Sequence, residues 1–185
     1  MDAVRRAFEA VPRADFLPAR ERSRAEYDGP IQLGHGSTNS QPRTVAAMLA
    51  LLDVRRGDRV LDIGAGSGWT TALLGHLTGP QGSVLGLELE PAIAKFGAEN
   101  VGRAGMPWVA LEPAVPTVLG DPARAPYDRI LVSADADGLP QELVGQLADD
   151  GRMVVPVHGV MSVAVRHGDD VEVTHHGRYS FVPLR

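Results

Sequence analysis

Cysteine is absent from the 185 residues, which excludes disulfide staples and thiolate metal ligation and makes a reducing compartment, the cytoplasm, the expected home. No run of about 18 apolar residues occurs, and the start, Met1-Asp2-Ala3-Val4-Arg5-Arg6, carries charge where a signal peptide would be apolar. Neither a membrane span nor export is expected. Clustered basic charge is scarce too. Apart from Arg20 to Arg24 and Arg55-Arg56 the Lys and Arg residues are scattered, in a chain of formal net charge -5. A nucleic-acid groove needs the opposite. The histidines show neither H-x-x-x-H nor H-E-x-x-H spacing, and the adjacent His175-His176 would point to opposite faces of a strand. No metal site is expected.

What is present fits one domain with one sizeable core. After a turn-rich N-terminal third, strand-like and helix-like segments alternate from Val60 onward, which predicts a mostly parallel sheet covered by helices on both faces. The expected helices are Thr44 to Leu52, Trp69 to Leu77, one beginning at Pro91 and ending at Gly102 or Gly105, and Pro140 to Leu147. The expected strands are Arg59 to Ile63, Ser83 to Leu89, Trp108 to Leu111, Arg129 to Val132 and Arg152 to Val157. Ser162 to Arg166 and Val171 to Thr174, around His167-Gly168-Asp169-Asp170, read as an antiparallel hairpin.

The most informative stretch is Val60-Leu61-Asp62-Ile63-Gly64-Ala65-Gly66-Ser67-Gly68-Trp69, a hydrophobic strand leading into a glycine turn and a helix. Glycines let the main chain approach a ligand with no Cβ in the way. A dinucleotide fingerprint from Gly64 would need glycine at position 69, where Trp69 stands, so a pyrophosphate is disfavoured. Glu88 ends the next strand, where an acid can accept two hydrogen bonds from a ribose diol. The plain alternative is an ordinary strand-to-helix turn with a solvated acid nearby.

The pattern D-x-G-x-G-x-G resembles the first motif of class I methyltransferases, whose Rossmann-like fold binds S-adenosyl-L-methionine and releases S-adenosyl-L-homocysteine. That resemblance implies Asp62, Gly64, Ala65, Gly66, Ser67, Gly68, Glu88 and Leu89 as cofactor-binding residues. A narrower likeness runs through Val11-Pro12-Arg13-Ala14-Asp15-Phe16-Leu17-Pro18, Tyr27-Asp28-Gly29-Pro30-Ile31 and Gly34-His35-Gly36-Ser37-Thr38-Asn39-Ser40-Gln41-Pro42. It continues in Ala125-Pro126-Tyr127-Asp128, Gly151-Arg152-Met153-Val154-Val155-Pro156-Val157 and Phe181-Val182-Pro183-Leu184. Together these are similar to the protein-L-isoaspartate (D-aspartate) O-methyltransferases, which methylate the α-carboxylate of L-isoaspartyl residues and so begin their repair. The resemblance implies one domain, 1–185, with a substrate-covering segment 1–43 ahead of a cofactor-binding core 44–185. It implies Ser40 as the catalytic residue, and Thr38, Ser40, Gln41 and Val182 as substrate-binding residues. The expected partners are proteins or peptides carrying isoaspartate, and the expected state is a monomer. Ser40 has a second reading as the N-cap of the helix near Pro42.

Some positions depart from the family pattern. Its Gly-Asp-Gly after the third strand, whose aspartate addresses adenine, is replaced by Glu112-Pro113, with Gly120-Asp121-Pro122 arriving later; Asp121 or Glu112 is the candidate for that contact. Asp135 and Asp137 fall in a segment usually rich in alanine, where they would repel an anionic substrate or cap the next helix. Asn39 replaces a residue that is usually aliphatic, and His35 is a candidate for the site entrance. Three rivals remain: a carboxylate methyltransferase for an aspartate of one peptide, a methyltransferase of hydroxyl or nitrogen acceptors, and a non-catalytic donor-binding domain.

Overall fold

The computed structural model describes residues 2–185; Met1, which opens the N-terminal stretch quoted above, lies outside them. The turn-rich third holds more structure than its composition suggests. Helix α1 (Asp2–Ala10) is followed by two 3-10 turns, Arg13–Phe16 and Ala19–Arg24, and by a small antiparallel pair, β1 (Ile31–Gly34) and β2 (Ser37–Asn39). His35 and Gly36 join the pair with φ of 51° and 77°, the two left-handed residues that a tight hairpin of this hand requires. Helix α2 (Pro42–Leu52) then leads into the sheet, Pro42 occupying its first turn.

The main sheet contains β3 (Arg59–Ile63), β4 (Ser83–Glu88), β5 (Val109–Pro113), β6 (Tyr127–Val132), β7 (Leu147–Val157), β8 (Val160–His167) and β9 (Asp170–Arg178), in the spatial order β5-β4-β3-β6-β7-β8-β9. The first five are parallel; β8 and β9 run antiparallel to their neighbours. The chain moves outward from β3 to β5 and then returns to lay β6 on the other flank of β3. Such a reversal opens a crevice at the carboxyl ends of the strands, where ligands of open α/β sheets bind.

Helices α3 (Trp69–Thr78) and α4 (Pro91–Arg103) connect these parallel strands and join α1 and α2 on one face, packed with Val60, Val84, Leu131 and Val154. The other face, built on Leu61, Ile63, Leu85, Leu87, Ile130 and Val132, is closed by α5 (Gln141–Val144) and by irregular chain around Leu119, Leu139 and Leu184. Helices therefore flank both faces, though unequally. The expected helix 140–147 is reduced to α5 because Leu147 already belongs to β7. The fifth strand begins earlier than expected and turns back through His158-Gly159, φ 49° and 72°, so the hairpin expected at the end is the second of two.

Candidate active site

One cavity of about 1480 Å³ opens at the carboxyl ends of the strands. Pockets for a single small ligand usually span roughly 300–1,000 Å³, so this one has room for a donor and for part of a peptide. Its walls come from the turn after β3 with the end of β4, the segment from β1–β2 to α2, the chain after β5 from Ala114 to Pro122, Ser133 and Ala134 after β6, and the C-terminal tail after β9.

The turn after β3 is built on its glycines. Gly64 and Gly66 take φ of 75° and 55°, a region costly for residues with a Cβ. Glu88 fixes the turn from the neighbouring strand end: its Oε2 accepts the Gly66 N–H at 2.9 Å and its Oε1 accepts the Glu90 N–H at 2.9 Å. A carboxylate has about four acceptor positions, so two remain for a diol. Gly64, Ala65, Gly66, Ser67, Glu88 and Leu89 all line the cavity, with Ala114, Val115 and Leu119 adding an apolar wall. Open main chain, an acid with spare acceptor capacity and a greasy wall fit the amino acid, ribose and adenine parts of S-adenosyl-L-methionine.

Three sequence-predicted cofactor residues sit elsewhere. Gly68 is not on the wall; it starts α3 with φ 82°, and a Cβ there would meet the Gly97 carbonyl at 2.9 Å, so its role is to seat α4 against the turn. Asp121 lies beside the wall but its carboxylate is engaged by the Arg124 guanidinium at 2.5 Å and by the Ala123 N–H at 3.1 Å. Glu112 is held by the same Arg124 at 2.9 and 2.6 Å, which lowers its pKa from the ordinary value. Neither acid lines the cavity; Leu119, Gly120 and Pro122 do.

Asp62 is the third. It is fully buried behind the turn, where Thr71 Oγ1 donates to its Oδ2 at 2.7 Å and its Oδ1 has no partner. Burial pushes its pKa up to about 7, opposed by the Thr71 hydrogen bond and helped by the nearby charge of Glu88. Because an unfolded aspartate ionises near 3.9, the native state binds this proton more tightly, and the associated stability, complete below about pH 4, is lost as the pH rises to about 7. Asp62→Asn keeps the shape but cannot ionise. Between about pH 4 and pH 8 the wild type is expected to lose about 4 kcal/mol relative to this variant. Urea melts without donor check it; a gap that stays constant with pH contradicts the assignment.

On the acceptor side Thr38, Ser40, Gln41 and Val182 all line the cavity, and so does His35. Helix α2 takes Gln41 as its N-cap, with no side-chain cap bond, so Ser40 does not play the capping role. The donor turn touches this segment: Asn39 Nδ2 donates to Ser67 Oγ at 3.0 Å, and a Cβ added to Gly66 would come within 3.9 Å of the Thr38 carbonyl. Asp135 and Asp137 do not line the cavity, and α5 is capped by Pro140, not by either acid. Asp135 instead ties down the tail. Its carboxylate accepts the Gly159 N–H at 2.8 Å, while its own N–H donates to the Val182 carbonyl and its carbonyl accepts the Leu184 N–H, both at 2.8 Å.

The residue that sequence reasoning missed is Arg13, only 6% exposed. Its guanidinium donates to the carbonyls of Tyr27 at 2.7 Å, Gly29 at 2.8 Å and Ser40 at 2.9 Å, and to Asn39 Oδ1 at 2.6 Å, with its charge over the Trp69 ring at 5.5 Å. Burial draws its pKa down to about 10, which leaves it charged at neutral pH. Most of its partners are main-chain carbonyls scattered in sequence, so no spacing rule announces them.

The family model for protein-L-isoaspartate(D-aspartate) O-methyltransferase matches residues 1–185. This chain belongs to that family. A protein-L-isoaspartate O-methyltransferase of Methanopyrus kandleri is 40% identical over 98% of this chain and 82% of its own length, and one of Methanocella arvoryzae is 39% identical over 96% and 95%. A solved protein-L-isoaspartate O-methyltransferase matches with TM-score 0.89 at 26% identity, covering 100% of this chain and 62% of its own. A Plasmodium falciparum structure, described as a candidate member in complex with S-adenosyl-L-homocysteine, matches with TM-score 0.84 at 23% identity over 100% of this chain and 91% of its own. Its likeness bears on the fold. The Rossmann-like class I methyltransferase architecture with antiparallel C-terminal strands is thus common to the family and this chain.

Proposed function

We propose that the chain methylates the α-carboxylate of L-isoaspartyl residues in proteins and peptides, with Ser40 presenting that carboxylate to S-adenosyl-L-methionine held by the turn Gly64–Ser67 and by Glu88. Family membership makes it an S-adenosylmethionine-dependent methyltransferase acting on isoaspartyl residues; the residue roles and the start of repair are the proposal. The observation that carries it is the contact between the glycine turn and the Thr38–Gln41 segment, through Asn39 and Ser67, in one cavity. Residues 1–43 are read as the substrate-covering segment and 44–185 as the donor-binding core. Gln41 and Val182 would hold the substrate main chain, Gln41 with its side chain tied to the Asp28 carbonyl at 2.9 Å and Val182 through Asp135.

When bound by the turn Gly64–Ser67 and Glu88, the donor would supply an electrophilic methyl on sulfonium for a substrate carboxylate oxygen, leaving S-adenosyl-L-homocysteine. A carboxylate with pKa near 4 is already ionised at neutral pH, so no strong base is needed, and none is conspicuous on the wall. What the chain contributes is alignment, which can reach about 7–11 kcal/mol. A hydroxyl such as that of Ser40 orients a carboxylate without neutralising it.

The reading includes a monomer in the cytoplasm that acts away from membranes and nucleic acid. Supporting it are the absence of cysteine, the net charge of -5, and the finding that among the described residues no helix is long and apolar enough to cross a membrane.

Labelled donor with an isoaspartyl peptide, beside the same peptide carrying normal aspartate, is the direct test. Methylation of the isoaspartyl form alone is expected; binding of S-adenosyl-L-homocysteine with no carboxylate turned over would overturn the reading. Ser40→Ala is expected to lower kcat by about a hundredfold, the scale of losing one oriented hydrogen-bond donor, while affinity for S-adenosyl-L-homocysteine stays as in the wild type.

A further inference from the structure

Asn39, at the end of β2 and 4% exposed, stands between the donor turn and the acceptor segment. Its Oδ1 accepts Arg13 Nε at 2.6 Å and its Nδ2 donates to Ser67 Oγ at 3.0 Å. The orientation of the amide is dictated by its neighbours. Arginine only donates, so the amide oxygen must face Arg13 and the amide nitrogen must face Ser67. The Ser67 oxygen is therefore an acceptor, which leaves its proton to be given elsewhere, and Ser67 lines the cavity. At the other end Arg13 donates to the carbonyls of Asn39 at 3.3 Å and Ser40 at 2.9 Å. The Ser67 carbonyl in turn accepts Asn100 Nδ2 of α4 at 2.8 Å. An unbroken polar chain thus runs from α4 through the donor turn to the main chain of Ser40.

We propose that Asn39 is a positioning residue for methyl transfer, coupling the donor turn at Ser67 to the Arg13-anchored strand that presents Ser40. Although Asn39 lines the cavity, its side-chain amide is taken up by Arg13 and Ser67, so it acts through them, and the inference rests on the reading of Ser40 given above. Holding two reactants on one frame matters most to the chemical step, because misplacement by about 1 Å can cost a hundredfold in rate while each partner still binds.

The test uses the full chain well below its melting temperature, with an isoaspartyl peptide as acceptor and S-adenosyl-L-homocysteine as the binding probe. Asn39→Leu is expected to lower kcat about tenfold to a hundredfold, with KM for the peptide and affinity for S-adenosyl-L-homocysteine within about twofold of the wild type. Asn39→Asp can still accept from Arg13 and can take the Ser67 proton, so it should restore most of the lost turnover. An Asn39→Leu protein that folds and keeps its kcat overturns the proposal, and so does Asn39→Asp being as slow as Asn39→Leu. Should Asn39→Leu fail to fold, Ser67→Ala removes the link to the donor turn together with the hydroxyl on the cavity wall, so affinity for S-adenosyl-L-homocysteine is measured beside kcat; an unchanged kcat there is equally fatal. Ser40→Ala run alongside separates the two levels: if it leaves turnover intact, the reading of Ser40 has failed, whereas an impaired Ser40→Ala beside a normal Asn39→Leu condemns the coupling alone.

Discussion

Gly66→Val is expected to reduce affinity for S-adenosyl-L-homocysteine at least about a hundredfold, roughly 2.7 kcal/mol. Two costs combine. Gly66 takes φ 55°, where a β-branched residue is strained. Its Cβ would also lie 3.8 Å from Leu33 Cδ1 and 3.9 Å from the Thr38 carbonyl, so the two further methyls of valine would enter the acceptor segment. The turn has little room to slide the other way, because its Gly66 carbonyl packs on Gly97 so closely that no Cβ would fit between them. Relief therefore means breaking the bond from the Gly66 N–H to Glu88, which removes both the open main chain and the placement of the acid. Titration calorimetry checks it; binding within about tenfold of the wild type would show that the turn is not where the donor lies.

Arg13→Ala should have the largest effect on the fold. The guanidinium serves the carbonyls of Ala25, Tyr27, Gly29, Asn39 and Ser40 together with the Asn39 side chain, and a buried polar group left unpaired costs about 1–3 kcal/mol. Water will reach the outer carbonyls, so the sum is not simply additive. A loss of at least about 4 kcal/mol is still expected, a large part of the roughly 5–15 kcal/mol that holds a domain together. Residues 25–40 have little apolar burial of their own beyond Ile31 and Leu33. They should become cleavable by protease while the sheet survives, and turnover should vanish with them. Denaturant melts and limited proteolysis measure both effects; resistance equal to the wild type would mean that the segment is held by something else. Arg13→Lys keeps the charge but not the planar fork and should rescue only partly.

The contrast between the donor turn and Arg13 explains what was legible in the sequence. Strand, glycines and helix succeed one another within about a dozen residues, and each is a local constraint, so β3 and the start of α3 fall where expected and Gly64 to Ser67 reach the cavity. Asp62 failed for a different local reason. Side chains alternate along a strand, and one step of parity puts Asp62 on the face of Val60, against Thr71 and in register with Gly86 of β4, instead of at the open end. Asp121 was drawn off by Arg124 three residues later, a pairing that spacing alone does not distinguish from an exposed acid. The two His-Gly turns, at 35–36 and 158–159, went unread because histidine is a less familiar left-handed residue than asparagine or aspartate. Arg13 and Asn39 lie within family-like segments, yet their work depends on a contact 26 residues apart, which only folding brings together.

The tail after β9 runs along the cavity from Arg178 to Arg185 and is pinned there by Asp135. Anything fused behind Arg185, an affinity tag included, would start on the cavity wall, beside the space proposed for a client peptide. Purification handles for kinetic work belong at the opposite terminus, and a C-terminal fusion with weak activity would report a blocked doorway and not a poor enzyme.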